Sequence, residues 1–415
     1  MGQSSRRALT LVDGEQHFTC QSCGRCCTRL TVAVSAAEAE SYRRANVGRW
    51  FREWPEGPEG SEQDPFQLVP GGVAIRKRAD GACGFLSPQR RCRLHEELGE
   101  ERKPLACRVF PFRIPLAAEA AVTASAGCPT VVRNEGRPLS EQAAEIARLR
   151  ARWQGERPGA APAVEFVAGL PVSRATVDVL RDGLRRLLDR PGPDGPPELR
   201  GNVLRIAHLL EDLTRRRVVK LGEERFAEYV ALTVPHAAAA TAAAPPRAAA
   251  LLARLFRRGL VLLVTSVRLQ VDERDASPWR LRLLLLGAAL HLHGLGPRVA
   301  GLDVRAARGV ALDVRDPVLR ERLHGALRSS IVGLGGGERP IVEELSVAIA
   351  LLNVACLRSA QRAGQDGRRA VAEPDLVAGL LEAGDLAHVA PGSLAGRLLA
   401  TFAAGPESLF LFADA

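Results

Sequence analysis

The stretch FTCQSCGRCCTRL, residues 18–30, carries four cysteines in eight positions: Cys20, Cys23, Cys26 and Cys27. A thiolate is a soft donor, suited to zinc and to iron–sulfur clusters. Cysteines two residues apart let one turn present two sulfurs to one centre, so Cys20-x-x-Cys23-x-x-Cys26 can offer three. Gly24 gives the loop access to positive φ and close approach. Cys26 and Cys27 are harder to use together, because adjacent side chains diverge. One of them is expected to join a second centre, pair with a distant ligand or remain a reactive thiol.

A second group follows in ACGFLSPQRRCRLHEELGEERKPLACRVFPF, residues 82–112, with Cys83, Cys92 and Cys107, and then Cys128 in SAGCPT. Eight cysteines suffice for two four-sulfur sites, and His95, three residues after Cys92, is a spare nitrogen ligand. Four Cys, or three Cys and one His, make the closed zinc geometry. Four Cys equally suit a [4Fe–4S] cluster, so spacing leaves zinc and iron–sulfur both open. Arg25, Arg29 and Arg108 flank these cysteines; positive groups there lower thiol pKa values and offset the repulsion between thiolates. Phe85, Phe110 and Phe112 are candidates for an apolar shell, and His17 is either a donor to a sulfur or a surface imidazole. Cys356, alone in the apolar run SVAIALLNVACLRSA, reads as core.

The elements that must position these groups differ along the chain. The first 135 residues are short segments rich in Gly and Pro. They include a polar loop at 54–65 and a short strand at 71–78 that ends in a turn at 79–81. Such a module has a thin core and needs staples. Beyond residue 139 the texture becomes helical. Helices are expected at 140–153, 173–189, 198–217, 223–231, 247–269, 278–293, 317–331, 340–362, 374–382 and 393–402, with a linker at 236–246. The fold class read here is mainly α: a cysteine-rich metal-binding module with short strands over 1–135, then an all-α domain over 136–415.

The cysteine pattern, with Cys83-Gly-Phe85-Leu86, Cys92-x-x-His95 and Lys103-Pro104-x-x-Cys107-Arg108-x-Phe110-Pro111, resembles the CxxCxxCC (YkgJ-type) cysteine-cluster family. Its members are described as zinc- or iron-chelating. The likeness covers about residues 15–130, with Leu94 and Lys103 as mild departures. It implies that Cys20, Cys23, Cys26, Cys27, Cys83, Cys92, Cys107 and Cys128 are metal ligands, supported by Arg108 and His95. The family includes flagellin lysine-N-methylases of similar length and layout. That branch implies methyl transfer from S-adenosylmethionine to lysines of a flagellin-like protein substrate. The rival reading is a non-catalytic metal-binding or redox-sensing module whose helical domain binds a protein partner.

Composition narrows the remaining classes. The net charge of +10 suggests nucleic acid. The basic residues are nearly all Arg, however, with lysine only at 77, 103 and 220, and they are spread without interleaved aromatics. That pattern reads as base-composition bias and a solvated basic surface. The apolar runs at 259–267 and 283–290 fall short of the roughly 20 residues that span a membrane. No apolar signal segment follows the basic start, so a cytosolic location with reduced thiols is expected. GLGGGERP at 333–340 follows a helical pattern instead of a strand and reads as an interhelical loop rather than a nucleotide cradle. His291 and His293, two apart, cannot share a helix face.

Overall fold

The computed structural model describes residues 15–53, 64–69, 72–115, 120–156, 163–192, 195–239, 306–307, 309–336 and 339–386. The helices expected at 247–269, 278–293 and 393–402, His291, His293, both apolar runs and most of the 54–65 loop lie outside these residues. The described elements are mainly helical, with short strands confined to the early chain. Two compact units emerge, and they interleave in sequence. The first comprises Met1–Ile114 and Asn134–Gly159, the second Pro115–Arg133 and Ala160–Ala415.

In chain order the first unit holds β1 (His17–Phe18), α1 (Arg25–Arg29), β2 (Ala33–Val34) and α2 (Ala36–Arg44), then β3 (Phe66–Val69), β4 (Gly72–Ile75), α3 (Arg93–Leu98), α4 (Leu105–Val109) and β5 (Phe112–Arg113). The segment given to the second unit carries β6 (Thr123–Ala124) and α5 (Pro129–Arg133); β7 (Arg137–Pro138) and α6 (Ala143–Gly155) then complete the first. β3 and β4 form an antiparallel hairpin, and β2 pairs with β4 on its other side. β1 pairs with β7, an antiparallel match across more than a hundred residues of sequence.

The core of this unit is small and partly aromatic. Tyr42, Trp50, Phe66, Ile75, Phe85 and Leu94 are buried together. Trp50 meets Phe85 edge-on at 6.0 Å between ring centroids, a geometry that favours the ring quadrupoles. Polar clamps supplement this core. Ser35 caps α2 by accepting from the Glu38 N–H at 3.2 Å, and Glu38 Oε2 accepts from the Ser35 N–H at 3.0 Å, a reciprocal capping box. The other oxygen, Oε1, accepts from the Leu105 N–H at 2.8 Å, so one carboxylate ties the first turn of α4 to α2.

The second unit continues with α7 (Arg174–Leu188), α8 (Leu199–Leu213), α9 (Arg216–Val219), α10 (Glu223–Ala239), α11 (Pro317–Val332), α12 (Ile341–Gln365) and α13 (Glu373–Leu386). α7 shows why these form: Ser173 accepts from the Thr176 N–H at 3.2 Å, and Val177, Leu180, Leu184 and Leu188 repeat at helical spacing on the buried side. Asp316 caps α11 with Pro317 at its first position. Close approach needs glycine at two crossings. A Cβ on Gly183 would fall 1.9 Å from Val234 Cγ1, and one on Gly379 would fall 2.3 Å from the Ala355 carbonyl oxygen. The linker expected from 236 is displaced: α10 runs through Pro235 and His236 to Ala239, because the following alanines favour continued helix.

The glycine-rich loop joins α11 to α12, as an interhelical loop should. Arg181 donates from Nη2 to the Leu334 carbonyl at 3.2 Å, and Glu344 Oε2 accepts from the Gly335 N–H at 3.0 Å. A carboxylate thus already takes a backbone donor that a phosphate would need. Cys356 is buried on α12, where burial pushes its thiol up to about 12.

Candidate metal centre

Short elements bring the early cysteines to different depths of the first unit. Cys20 and Cys23 are exposed on the loop before α1, whereas Cys26 and Cys27 ride on α1 and are partly covered. Gly24, in the left-handed region at φ 68°, turns the chain into the helix. A Cβ there would stand 3.3 Å from the Arg90 carbonyl oxygen, and Arg90 Nε donates to the Cys23 carbonyl at 3.1 Å.

Cys83 is buried and joined to α1 directly: its N–H donates to the Cys27 carbonyl at 2.6 Å. It bridges Lys77 across a turn closed by the Arg78 N–H on the Ala82 carbonyl at 2.8 Å. Cys92 lies opposite Leu86 in the next tight turn and immediately precedes α3, at its N-terminal boundary position. Cys27, Cys83 and Cys92 therefore border one apolar cluster with Phe85 and Leu86. Cys107 sits in α4, whose first turn is clamped by Glu38.

Electrostatics couples these groups. The Cys27 thiol donates a hydrogen bond to Cys26, which holds Cys26 down, and the Lys103 charge acts in the same direction. Cys27 is raised by that same bond, then by burial and by the neighbouring sulfurs. Burial pushes Cys83 up to about 11, and the Cys92 and Cys26 sulfurs add to the rise. Burial also raises Cys92, while backbone N–H groups at the start of α3 oppose it. Cys107 goes up by burial, reinforced by Cys83, Cys92 and Cys26. Cys26, Cys83 and Cys92 thus lie within electrostatic reach of both Cys27 and Cys107.

Lysines supply the opposing charge. Lys103 lowers Cys26, Cys92 and Cys107, and Lys77 lowers Cys83. Two of the chain's three lysines therefore act on this cluster. Neither stood out as functional in the sequence. The available signal was their scarcity. The Arg108 guanidinium is engaged elsewhere, donating from Nη2 to Glu101 at 2.8 Å. His95 is exposed on α3, and its backbone N–H lies on the Cys92 side. His17, on β1, donates its N–H to Asn134 Oδ1 at 2.8 Å, and its Nδ1 is buried without a partner among the described residues. Of the three phenylalanines, only Phe85 lies in the cluster beside Cys83; Phe110 ends α4, and Phe112 meets Phe18 edge-on at 5.5 Å.

Cys128 belongs to the second unit. It is buried, donates its N–H to the Ser125 carbonyl at 3.2 Å and precedes α5. The preceding Ala126–Gly127 backbone packs against Gly384 of α13, where an added Cβ would come within 2.4 Å of the Gly127 nitrogen.

Residues 19–129 match the CxxCxxCC family model, described as "Putative zinc- or iron-chelating domain". Searches of curated proteins and of solved structures returned no match. The matched stretch holds seven cysteines of the first unit, together with Cys128 of the second.

The donor set fits zinc or iron in type: soft sulfurs, crowded, shielded from water and faced by cations. It is not assembled as a ligand sphere. Among the described residues, no three His, Cys, Asp or Glu side chains are grouped to hold an ion. Coordination would require the thiols to turn and to give up protons that burial holds on Cys83 and Cys107. Among the described residues, no helix is long and apolar enough to cross a membrane.

Proposed function

We propose that the first unit is a zinc- or iron-chelating module whose inner donors are Cys26, Cys27, Cys83, Cys92 and Cys107. One observation carries this reading: Cys26, Cys27, Cys83, Cys92 and Cys107, drawn from three separated segments and each perturbed by neighbouring sulfurs, lie inside the stretch that matches the chelating-domain model. When bound, zinc would supply a structural cross-link and an iron–sulfur cluster an electron site. The protein's own groups prepare the place. α1, the turns around Cys83 and Cys92, and α4 hold the sulfurs together. Lys77 and Lys103 offset their charge, and the Trp50–Phe85 cluster limits water.

The test is elemental analysis and an absorbance spectrum of anaerobically purified protein, with Cys83→Ser and Cys107→Ser beside it. Bound metal that both variants lose is the expected result; metal-free protein at every preparation overturns the reading. The same substitution at Cys128 reports whether that thiol is a ligand. Because buried thiols must lose protons, affinity for zinc should rise with pH through the neutral range.

The resemblance to flagellin lysine-N-methylases extends this reading to methyl transfer from S-adenosylmethionine, and the resemblance is its sole support. Calorimetry of metal-replete protein with S-adenosylmethionine tests it: absence of binding heat leaves the non-catalytic module with a protein partner.

A further inference from the structure

α1 carries Cys26 and Cys27 on only five residues, and a helix that short does not hold itself. Bonds to its backbone carbonyls hold it instead. Towards its C-terminal end the Cys83 N–H donates to the Cys27 carbonyl at 2.6 Å, and Lys77 Nζ donates to the Arg29 carbonyl at 3.4 Å. These two come from the hairpin in which Lys77 lies opposite Cys83. At the entry to the helix, Arg90 Nε donates to the Cys23 carbonyl at 3.1 Å, across 67 residues of sequence. This bond comes from the turn that leads into Cys92.

Arg90 pays for its reach in backbone conformation. Its φ is 62°, in the left-handed region, which costs a non-glycine residue free energy. The turn keeps it there. The Arg90 N–H donates to the Ser87 carbonyl at 2.9 Å, the Ser87 N–H to the Arg91 carbonyl at 2.8 Å, and the Arg91 N–H to Ser87 Oγ at 3.1 Å. Packing does not demand this strain, since Arg90 is exposed. What the conformation achieves is contact with the start of α1. Gly24 is fitted to the same arginine: a Cβ there would stand 3.3 Å from the Arg90 carbonyl oxygen and 3.4 Å from Arg90 Cβ and Nε.

We propose that Arg90 is a positioning residue of the chelating module. It pins the entry of α1 to the Cys92 turn, so that the helix carrying Cys26 and Cys27 is fixed in place before an ion arrives. This rests on the chelation reading above. Arg90 is not a ligand; it acts through the Cys23 carbonyl and the Gly24 backbone, by a hydrogen bond and not by its charge.

The experiment compares Arg90→Gly and Arg90→Gln in the full chain. Glycine releases the left-handed strain and removes the clasp. Glutamine keeps a donor nitrogen as many bonds from the backbone as Nε and removes the charge. The readouts are Zn²⁺ affinity and stoichiometry by competition with a chromogenic chelator, urea unfolding, and hydrogen exchange in metal-free protein. The amides followed are Leu30 and Cys83, which donate to the Cys26 and Cys27 carbonyls. Arg90→Gly should bind the same number of ions about tenfold more weakly. Both amides should exchange several-fold faster by local opening, while the urea midpoint does not fall. Arg90→Gln should match the parent throughout. Parent-level affinity and exchange in Arg90→Gly would show that Arg90 positions nothing. A joint fall of affinity and urea midpoint would make it merely structural, and a glutamine variant as weak as glycine would assign the effect to charge. Each of these overturns the proposal and leaves chelation standing. If the parent chain binds no ion, chelation fails and this role with it. Arg90→Asn also accepts the left-handed region and is too short to reach Cys23, so it replaces glycine should that variant not fold.

Discussion

The two units reach stability by different means. In the second, helices of 14 to 25 residues such as α7, α12 and α13 bury a continuous aliphatic core. Each fully buried Leu or Val there contributes about 2 kcal/mol from water exclusion. In the first, no described helix exceeds the 13 residues of α6. Helices of five or six residues, isolated, would not hold. Their positions come from a small aromatic cluster, from side-chain clamps such as Glu38, and from sulfurs brought together without a ligand sphere. The contrast teaches that a unit poor in apolar surface must obtain its missing stabilisation from specific bonds, and crowded thiols are where a metal would add it.

The largest expected effect follows from removing that metal. Binding to such a module is on the order of 10 kcal/mol of folding free energy. Chelation should therefore abolish hydrogen-exchange protection in α1, α3 and α4 while α7 and α12 keep theirs. Equal loss in both units would erase the distinction. Next comes Leu184→Ala, which opens a cavity in the aliphatic core. It should cost about 3 kcal/mol in urea unfolding and leave metal content unchanged. Glu38→Ala removes the side-chain half of the capping box, the bond from the Ser35 N–H, and the clamp on α4, while the residue-38 N–H still donates to Ser35; about 2 kcal/mol lost, with weaker metal retention, is expected in the first unit.

The smallest effect sharpens the comparison from the other side. Asp375, buried at the start of α13, accepts from the Ala372 N–H at 2.9 Å and from Arg368 Nη2 at 2.8 Å. The Arg368 guanidinium holds its carboxyl below the usual carboxylate range. Its contribution is therefore complete above the unfolded-state value and is lost as pH falls through the lower folded one. Asp375→Asn should destabilise the second unit by roughly 1–2 kcal/mol at pH 7 and less at pH 2. A pH-independent difference in thermal unfolding would show that the ion pair is not the cause.

The helical half was legible because its signals are local. Ser173 before a repeating apolar face defines α7, and Asp316-Pro317 defines α11, each to within a residue or two. The cysteine motif was legible for the same reason, being a spacing. What escaped depends on distant contacts. Nothing near Glu38 says that its second oxygen will meet Leu105, 67 residues on. Lys77 and Lys103 carry no pattern of their own; their meaning lies in the sulfurs they face. Texture also placed one boundary near residue 135, whereas the compact units part after Ile114, Arg133 and Gly159. Composition cannot reveal that Pro115–Arg133 is grouped with helices encoded much later.

That interleaving governs how the molecule can be made. The polypeptide passes between the units three times, so neither can be released by a single nick. A fragment ending at residue 129 would lack β7, the strand that pairs with β1, and Gln142, whose amide donates to the Phe18 carbonyl at 2.9 Å. During synthesis the first unit cannot close before α6 has left the ribosome. By then Pro115–Arg133 is already outside, awaiting helices not yet translated. It waits for the time needed to make some 200 more residues at about 5–20 per second. The order of translation thus leaves this short segment without its final packing partners until late in synthesis.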